Sequence, residues 1–225
     1  MESAQNEELF EQHNVHLVYD KIASHFSITR IMIWPKVHDF INDLPSNSTI
    51  LDIGCGNGKN MGTREDCQYI GIDICQNLIQ QATYKPNCNY LISNCLTIPL
   101  PDNSMDYIMS IAVIHHLSTP ERRLQSLIEI NRLLNHGGKA LIYVWAFEQP
   151  KFKNELEQDV MVKWSLQKKY NQENQQVDIL NRYYHLFREN ELEDMINKID
   201  GLTIIDNLLF NPLLFATFYY QFYKT

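Results

Sequence analysis

The sequence predicts an α/β protein organised as a doubly wound sheet. Three observations predict it. Short apolar, β-branched runs alternate with stretches of helical periodicity; the first run, Thr49-Ile50-Leu51-Asp52-Ile53, breaks into Gly54, Gly56 and Gly58; and the next, Tyr69-Ile70-Gly71-Ile72, ends on Asp73. Taken in order, residues 7–40 are amphipathic and helical. Strands follow at Thr49–Ile53, Gln68–Ile72, Tyr90–Ser93, Tyr107–Ile111 and Lys139–Trp145. Helical periodicity fills Cys75–Tyr84 and Pro120–Leu134. Ser118 and Glu121 form a capping box for the second helix, Pro120 stands in its first turn, and His136-Gly137-Gly138 stops it. The tail reads as a helix at Arg188–Lys198 and two strands, Leu202–Phe210 and Leu214–Tyr223, in a hairpin that closes one sheet edge. With 225 residues, 44% of them hydrophobic, and no Pro/Gly/Ser-rich linker, the expectation is one core and a single domain spanning 1–225.

Charge and cysteine usage narrow the function classes. A net charge of −8 provides no global basic field to recruit nucleic acid, so any RNA contact must use a local patch or a partner. Five cysteines, Cys55, Cys67, Cys75, Cys88 and Cys95, are odd in number and contain no C-x-x-C pair. They read as reduced thiols in a cytosolic or nuclear protein, with no metal site and no disulfide frame. The acidic start, with Glu2, Glu7 and Glu8, is unlike a secretory signal, and no apolar run is long enough for a membrane span.

The glycine-rich turn carries the chemistry. Glycines let a backbone approach a bulky cofactor without Cβ clashes. A pyrophosphate would prefer G-x-G-x-x-G opening a helix, whereas here the third glycine comes one residue early and Asp52, just before the loop, would repel it. A cationic amine suits Asp52 and ribose hydroxyls suit Asp73, which lies 17 positions after Gly56 at the end of the next strand. S-adenosyl-L-methionine carries both groups, and it is the expected ligand.

A doubly wound sheet binds ligands at the carboxyl ends of its strands. The residues there are the glycine loop, Asp73-Ile74, Asn94-Cys95-Leu96 and Ala112-Val113-Ile114-His115-His116. Asn94 is either a partner for an adenine edge or an ordinary loop residue. Of His115 and His116, which project differently, one is expected to face the substrate and the other to be structural. Arg122 and Arg123 open a helix against its dipole, which implies either an anion partner or a solvated face.

Five segments resemble a known family. They are Glu11-Gln12-His13-Asn14-Val15-His16 through Thr29-Arg30, the glycine loop, Ile111 through Arg123, Gly137 through Gln149, and Arg182-Tyr183-Tyr184-His185-Leu186-Phe187-Arg188. Together they resemble the eukaryotic tRNA wobble-uridine carboxymethyl methyltransferases, the family that includes the methyltransferase domain of the AlkB-homologue tRNA enzyme. The resemblance implies a class I S-adenosylmethionine-dependent, Rossmann-like fold of seven strands with the last antiparallel. It also implies a helical cap at residues 1–45 and a substrate-side insertion at 146–186. The implied reaction esterifies the carboxylate of 5-carboxymethyluridine in the tRNA anticodon loop. Such a carboxylate is already ionised at neutral pH and needs no general base. Arg30, Arg182 and one of His115 or His116 are the implied clamps for it. Tyr19, Asp52, Gly54, Cys55, Gly56, Gly58, Asp73, Ile74, Asn94, Cys95, Leu96 and Ile111 are the implied cofactor residues. On the substrate side stand Trp145, Glu148, Gln149, Tyr183, Tyr184 and His185. Tyr183 and Tyr184 read equally as stacking faces and as core, whereas Trp145, at a strand end, and Trp164, in an irregular segment, read as packing. Lys163, Lys168 and Lys169 remain from the basic insertion of some relatives and read as a solvated surface.

A partner is expected too. The strand around Tyr90–Ser93 lies at a sheet edge without Pro or Lys, so it either pairs with another chain or is covered by the N-terminal helices. The resemblance supplies a small zinc-binding methyltransferase activator, and any zinc would be that partner's. A small-molecule methyltransferase would keep Asp52 and Asp73 but leave Arg182-Tyr183-Tyr184-His185 unexplained. A non-catalytic scaffold would bind cofactor without turnover.

Overall fold

The computed structural model describes residues 2–152, 155–171, 177–210 and 217–225. Helix α1 (Glu2–Glu11) runs through a π-helical turn at Gln12–His16 into α2 (Leu17–Thr29), and α3 (Pro35–Asn42) follows. Next come β1 (Thr49–Ile53), β2 (Gln68–Asp73), α4 (Gln76–Ile79), β3 (Cys88–Ile92), β4 (Met105–Ile111), α5 (Pro120–Leu133) and β5 (Leu134–Trp145). The chain ends with β6 (Asp159–Leu166), β7 (Asp178–His185), α6 (Glu191–Ile196), β8 (Leu202–Phe210) and β9 (Thr217–Lys224). Seven strands form one sheet in the order β3-β2-β1-β4-β5-β9-β8, while β6 and β7 pair as a separate antiparallel ribbon. Strands β1 to β5 are parallel, and β9 runs antiparallel to both β5 and β8. The doubly wound sheet with an antiparallel last strand is thus present.

Central strands buried on both faces need apolar residues at nearly every position. β1 meets that demand, with Ile50, Leu51 and Ile53 inaccessible to solvent. Leu51 and Ile53 pack with Leu127 and Ile130 of α5 and Leu192 and Ile196 of α6, whereas Ile50 packs with Val37, Phe40 and Ile41 of α3. The sheet order reverses at β1, so β2 and β4 diverge from its carboxyl end and leave a crevice there.

Several local expectations need correction. The N-cap of α5 is Thr119, whose Oγ1 accepts from the Arg122 backbone N–H, so there is no Ser118–Glu121 box. Ser118 is instead bound through its N–H and hydroxyl to Glu11. The same Glu11 carboxylate takes Arg122 bidentately, at 2.7 Å for both bonds, so the anion that Arg122 requires belongs to the chain's own first helix. Arg123 is buried rather than solvated and donates to the Leu117 carbonyl, with no carboxylate in ion-pair contact among the described residues. The helix does not run to His136-Gly137-Gly138. Leu134 turns into β5 and pairs with Met105, because burying its side chain in the core outweighs another helical residue. The helices expected at Cys75–Tyr84 and Arg188–Lys198 shrink to four and six residues, each with few buried apolar side chains to hold a longer one. The third strand begins earlier than expected, at Cys88, and Trp164 stands on β6 rather than in an irregular segment. Of the strand expected at Leu214–Tyr223, residues 214–216 lie outside the described residues, and the rest falls in β9.

Two clasps seat the outer elements. Glu11, 1% exposed, ties α1 to the start of α5 through four hydrogen bonds. His185 bridges Asp159 and Glu191 at 2.8 and 2.7 Å, holding the end of β7 to β6 and α6. At the opposite side of the sheet β3 forms an edge, with Leu91 and Ile92 38% and 57% exposed. Among the described residues no helix is long and apolar enough to cross a membrane.

The reassigned cap is testable by denaturant unfolding. Thr119→Ala should cost about 1 kcal/mol, as N-cap losses do. Glu11→Ala should cost more, about 3 kcal/mol, because it strands Arg122 and the Ser118 N–H beside a buried site.

Candidate active site

Where β1 ends, Gly54 adopts φ +68°, and a Cβ there would stand 2.2 Å from Val113 Cγ2. Only glycine lets the first loop and the loop after β4 approach so closely. Gly58 is required for a different reason: a Cβ would stand 2.3 Å from the Tyr90 hydroxyl, so this residue packs against β3 rather than facing a ligand. A Cβ on Gly56 would meet nothing within 4 Å, which leaves open space above that turn. Ala112, at φ 64°, holds the facing loop in a left-handed turn that few non-glycine residues adopt.

These loops floor a cavity of about 740 Å³ whose roof is the first helix with its π-helical turn. Of the expected cofactor residues, Tyr19, Gly54, Cys55, Gly56, Asp73, Ile74, Asn94, Cys95, Leu96 and Ile111 line it, whereas Asp52 and Gly58 lie behind the wall. Asp73 binds the Gly56 N–H through Oδ2 and the Cys75 N–H through Oδ1, both at 2.8 Å, and so joins the glycine loop to β2. Each oxygen keeps a second lone pair. Burial raises its pKa to about 6 against those two bonds. Neither carboxylate oxygen of Asp52 makes a hydrogen bond of good geometry among the described residues; Asn60 and Lys59 lie close enough to favour its charge, yet burial outweighs them and pushes the group up to about 7. An orphaned carboxylate below a glycine cradle fits a ligand with an ammonium group. Asn94 turns its Oδ1 back onto the Leu96 and Thr97 N–H groups, which makes it a loop-building residue with only its amide NH₂ left to offer.

The acceptor side is aromatic and cationic. His116 and His115, Trp145, Tyr184 and Arg30 line the cavity. Burial drives His116 down to about 3 and lowers His115 well below the ordinary histidine value, so both rings are neutral. Neither is the cationic clamp expected of one of them. His116 has both nitrogens engaged, Nδ1 with the Tyr183 carbonyl at 2.9 Å and Nε2 with the Tyr19 hydroxyl at 3.0 Å. His115 stacks on Tyr184 with ring centroids 4.8 Å apart. Among the described residues Arg30 bonds to Thr29 and lies over the Phe26 and Trp164 rings.

Other expected residues are elsewhere. Tyr183 is core: its hydroxyl donates to Asp159 and its ring meets Phe10 edge-on. His185 is held between its two carboxylates, Gln149 donates to the Ala146 carbonyl, and Glu148 is exposed on the surface; none of the three lines the cavity. Arg182 is sheathed behind Tyr19 and Tyr184. The expected N-terminal helical cap forms the roof, whereas the sequence reading missed the roles of Glu11 and Lys59. Arg122, oddly placed against its helix dipole, was the one available signal for Glu11. Among the described residues no group of His, Cys, Asp and Glu is placed to hold a metal ion.

The Asp52 geometry has a pH consequence. A raised carboxylate pKa means burial opposes ionisation, so fold stability without ligand should fall as pH rises from about 4 toward 7. Binding of a cationic amine needs the ionised form. S-adenosylmethionine affinity, measured by calorimetry, should therefore weaken by up to about tenfold per pH unit below 7. Asp52→Asn should abolish that dependence.

Residues 51–142 match the family model described as a methyltransferase domain. The chain is 42% identical over 207 residues to the tRNA (carboxymethyluridine(34)-5-O)-methyltransferase of Schizosaccharomyces pombe, covering 85% of this chain and 90% of that protein. It is 35% identical over 246 residues to the Xenopus tropicalis enzyme of the same name, covering 86% of this chain but 38% of that longer protein. A chain of the complex between the Haloferax volcanii Trm112 methyltransferase activator and a methyltransferase shares the fold. The TM-score is 0.65 over 92% of this chain and 97% of that one, at 14% identity. By identity and coverage together, the chain belongs to the tRNA (carboxymethyluridine(34)-5-O)-methyltransferase family.

Proposed function

We propose that this protein methylates the carboxylate of 5-carboxymethyluridine at the wobble position of tRNA, giving the 5-methoxycarbonylmethyl ester. The observation that carries the reading is the pairing of its arginines. Arg64, Arg122 and Arg132 each hold a carboxylate, of Asp66, Glu11 and Glu129. Arg30, Arg123, Arg182 and Arg188 hold none among the described residues, and of these four Arg30 lines the cavity and Arg182 lies directly behind its Tyr19 and Tyr184 wall. Guanidinium groups left unpaired at a cavity call for an anionic substrate.

S-adenosylmethionine is the methyl donor and supplies an electrophilic methyl group on its sulfonium. Asp52, buried behind the glycine loop, favours a cationic amine through its charge, and Asp73, on the cavity wall, offers its remaining lone pairs to ribose hydroxyls. Arg30 orients the acceptor carboxylate, while Tyr184 and Trp145 form an apolar wall that excludes water. No proton has to be removed from an acceptor that is ionised at neutral pH. Neutral, engaged His116 suits that chemistry, because a second cation there would quench the nucleophile. A hydroxyl or amine acceptor would need a base that this wall does not offer.

The partner reading rests on the sheet edge. Leu91 and Ile92 leave β3 open for strand addition by a small zinc-binding activator. The name of the Haloferax volcanii complex supports an activator of this kind for the fold. The cytosol, with access to the nucleus, is the proposed location.

Labelled S-adenosylmethionine and tRNA lacking the terminal ester test the reading, with the chain alone and with the activator. Alkali-labile label on the wobble nucleoside is expected; cofactor binding with no such label would overturn it. Activity should show no fall between pH 8 and 6 attributable to histidine, given how far burial lowers both rings. Ile92→Lys should abolish activator pull-down and spare cofactor affinity, whereas undiminished capture would remove β3 from the interface.

A further inference from the structure

Arg182 presents a physical problem. Its side chain is 3% exposed, no carboxylate neutralises it among the described residues, and its Nε is buried without a partner. Three rings enclose the guanidinium, with Cζ 4.8 Å from the Trp164 centroid, 5.3 Å from Tyr184 and 5.4 Å from Tyr19. An isolated buried charge is costly, and an apolar residue of similar volume usually packs there at no loss. Arg182 therefore does something other than stabilise. Yet it does not line the cavity, while Tyr19 and Tyr184 do.

The hydrogen bonds around Tyr19 have only one consistent set of directions. The Tyr183 carbonyl can only accept, so His116 Nδ1 carries the proton and Nε2 is an acceptor. Tyr19 therefore donates its single hydroxyl proton to His116 Nε2, at 3.0 Å. The same oxygen accepts from Arg182 Nη1 at 3.1 Å and, its proton being committed, accepts from the Tyr184 hydroxyl at 3.1 Å. One donated and two accepted bonds use all its capacity. The hydroxyl is spent on the protein, and what Tyr19 presents to the cavity is a ring backed by a cation.

We propose that Tyr19 is a positioning residue that couples the buried Arg182 guanidinium to the cavity, so that Arg182 favours an anionic acceptor through Tyr19 and Tyr184 rather than by touching it. The inference rests on the carboxylate reading above and deepens it. It assigns Tyr19 to substrate charge selection rather than to hydrogen bonding with the cofactor, and it explains why Arg182 is kept charged with no carboxylate beside it among the described residues. Arg30 then makes direct contact, and Arg182 sets the local potential without quenching the nucleophile.

A double-mutant cycle on the full chain with its activator tests this. Tyr19→Phe and Arg182→Met should each lower kcat at least tenfold on an anticodon stem-loop bearing carboxymethyluridine. S-adenosylhomocysteine affinity should stay within about twofold, and thermal unfolding of the Arg182→Met protein should be unchanged or higher. The double variant should be no worse than Arg182→Met alone, since coupled residues are non-additive. Wild type should also bind the carboxymethyl loop more tightly than its neutral carbamoylmethyl counterpart, and both variants should lose that preference. Multiplicative losses in the double variant, or an intact charge preference in Tyr19→Phe, would overturn the inference while leaving the esterification reading standing. An inert wild type would instead remove the reading and the inference together. Should Tyr19→Phe unfold, Arg182→Lys replaces it: a lysine keeps the charge but not the planar donor, and retained charge preference with intact folding is the expected result.

Discussion

The Asp73 carboxylate, bridging the Gly56 and Cys75 N–H groups, holds the glycine loop of β1 against the end of β2. The cavity depends on that bridge. β1 lies between two parallel neighbours, so its loop cannot be displaced sideways, and the reversal of strand order opens the crevice beside it. Gly54 then lets Val113 approach from β4, and Gly58 lets Tyr90 approach from β3. The floor of the site is therefore set by side chains from β2, β3 and the loop after β4 packed against the glycine backbone at the end of β1, four adjacent strands of the sheet.

The roof depends on longer connections. Glu11 reaches Ser118 and Arg122 more than a hundred residues away and seats the first helix over the crevice. The π-helical turn lies immediately after Glu11, a feature that recurs at functional sites, and His16 and Tyr19 on either side of its end both reach the cavity. On the far wall, β7 brings Tyr184 to the cavity and Arg182 behind it, and the Asp159–His185–Glu191 clasp fixes the strand that carries them. Glycine-loop floor, helical roof and aromatic wall together surround the cavity, and burial of its titratable groups strengthens the charge interactions among them.

Electrostatics divides the cavity in two. The cofactor side holds Asp52 and Asp73, both pushed up by burial, and the acceptor side holds guanidinium groups and neutral histidines. This arrangement agrees with joining a cationic donor to an anionic acceptor, with charge decreasing as the methyl moves. His116 shows how burial overrides residue type. A histidine beside another histidine reads in sequence as an acid–base or cationic pair, but with no water to solvate the charged form and a hydroxyl already donating to Nε2, it stays neutral.

What the sequence by itself determined is local in origin. The strand from Thr49, its three glycines, Asp73 at the end of the next strand and the closing hairpin from Leu202 all follow from periodicity and glycine placement, and all stand where those signals put them. The family likeness carried the substrate class for the same reason, since motif residues cluster at strand ends. Tertiary structure alone decided which members of the equivocal pairs reached the site: both His115 and His116 do. Tyr184 reaches it and Tyr183 does not, because alternate residues of a strand face opposite sides. Arg122 meets Glu11 rather than substrate, and Ser118 yields its cap to Thr119, because the expected N-terminal helix docks against the start of α5, a contact that no local signal specifies. Sequence pattern encodes what each segment can form. Which partner a polar side chain finds across a hundred residues depends on the packed arrangement of all of them, and no local signal carries it.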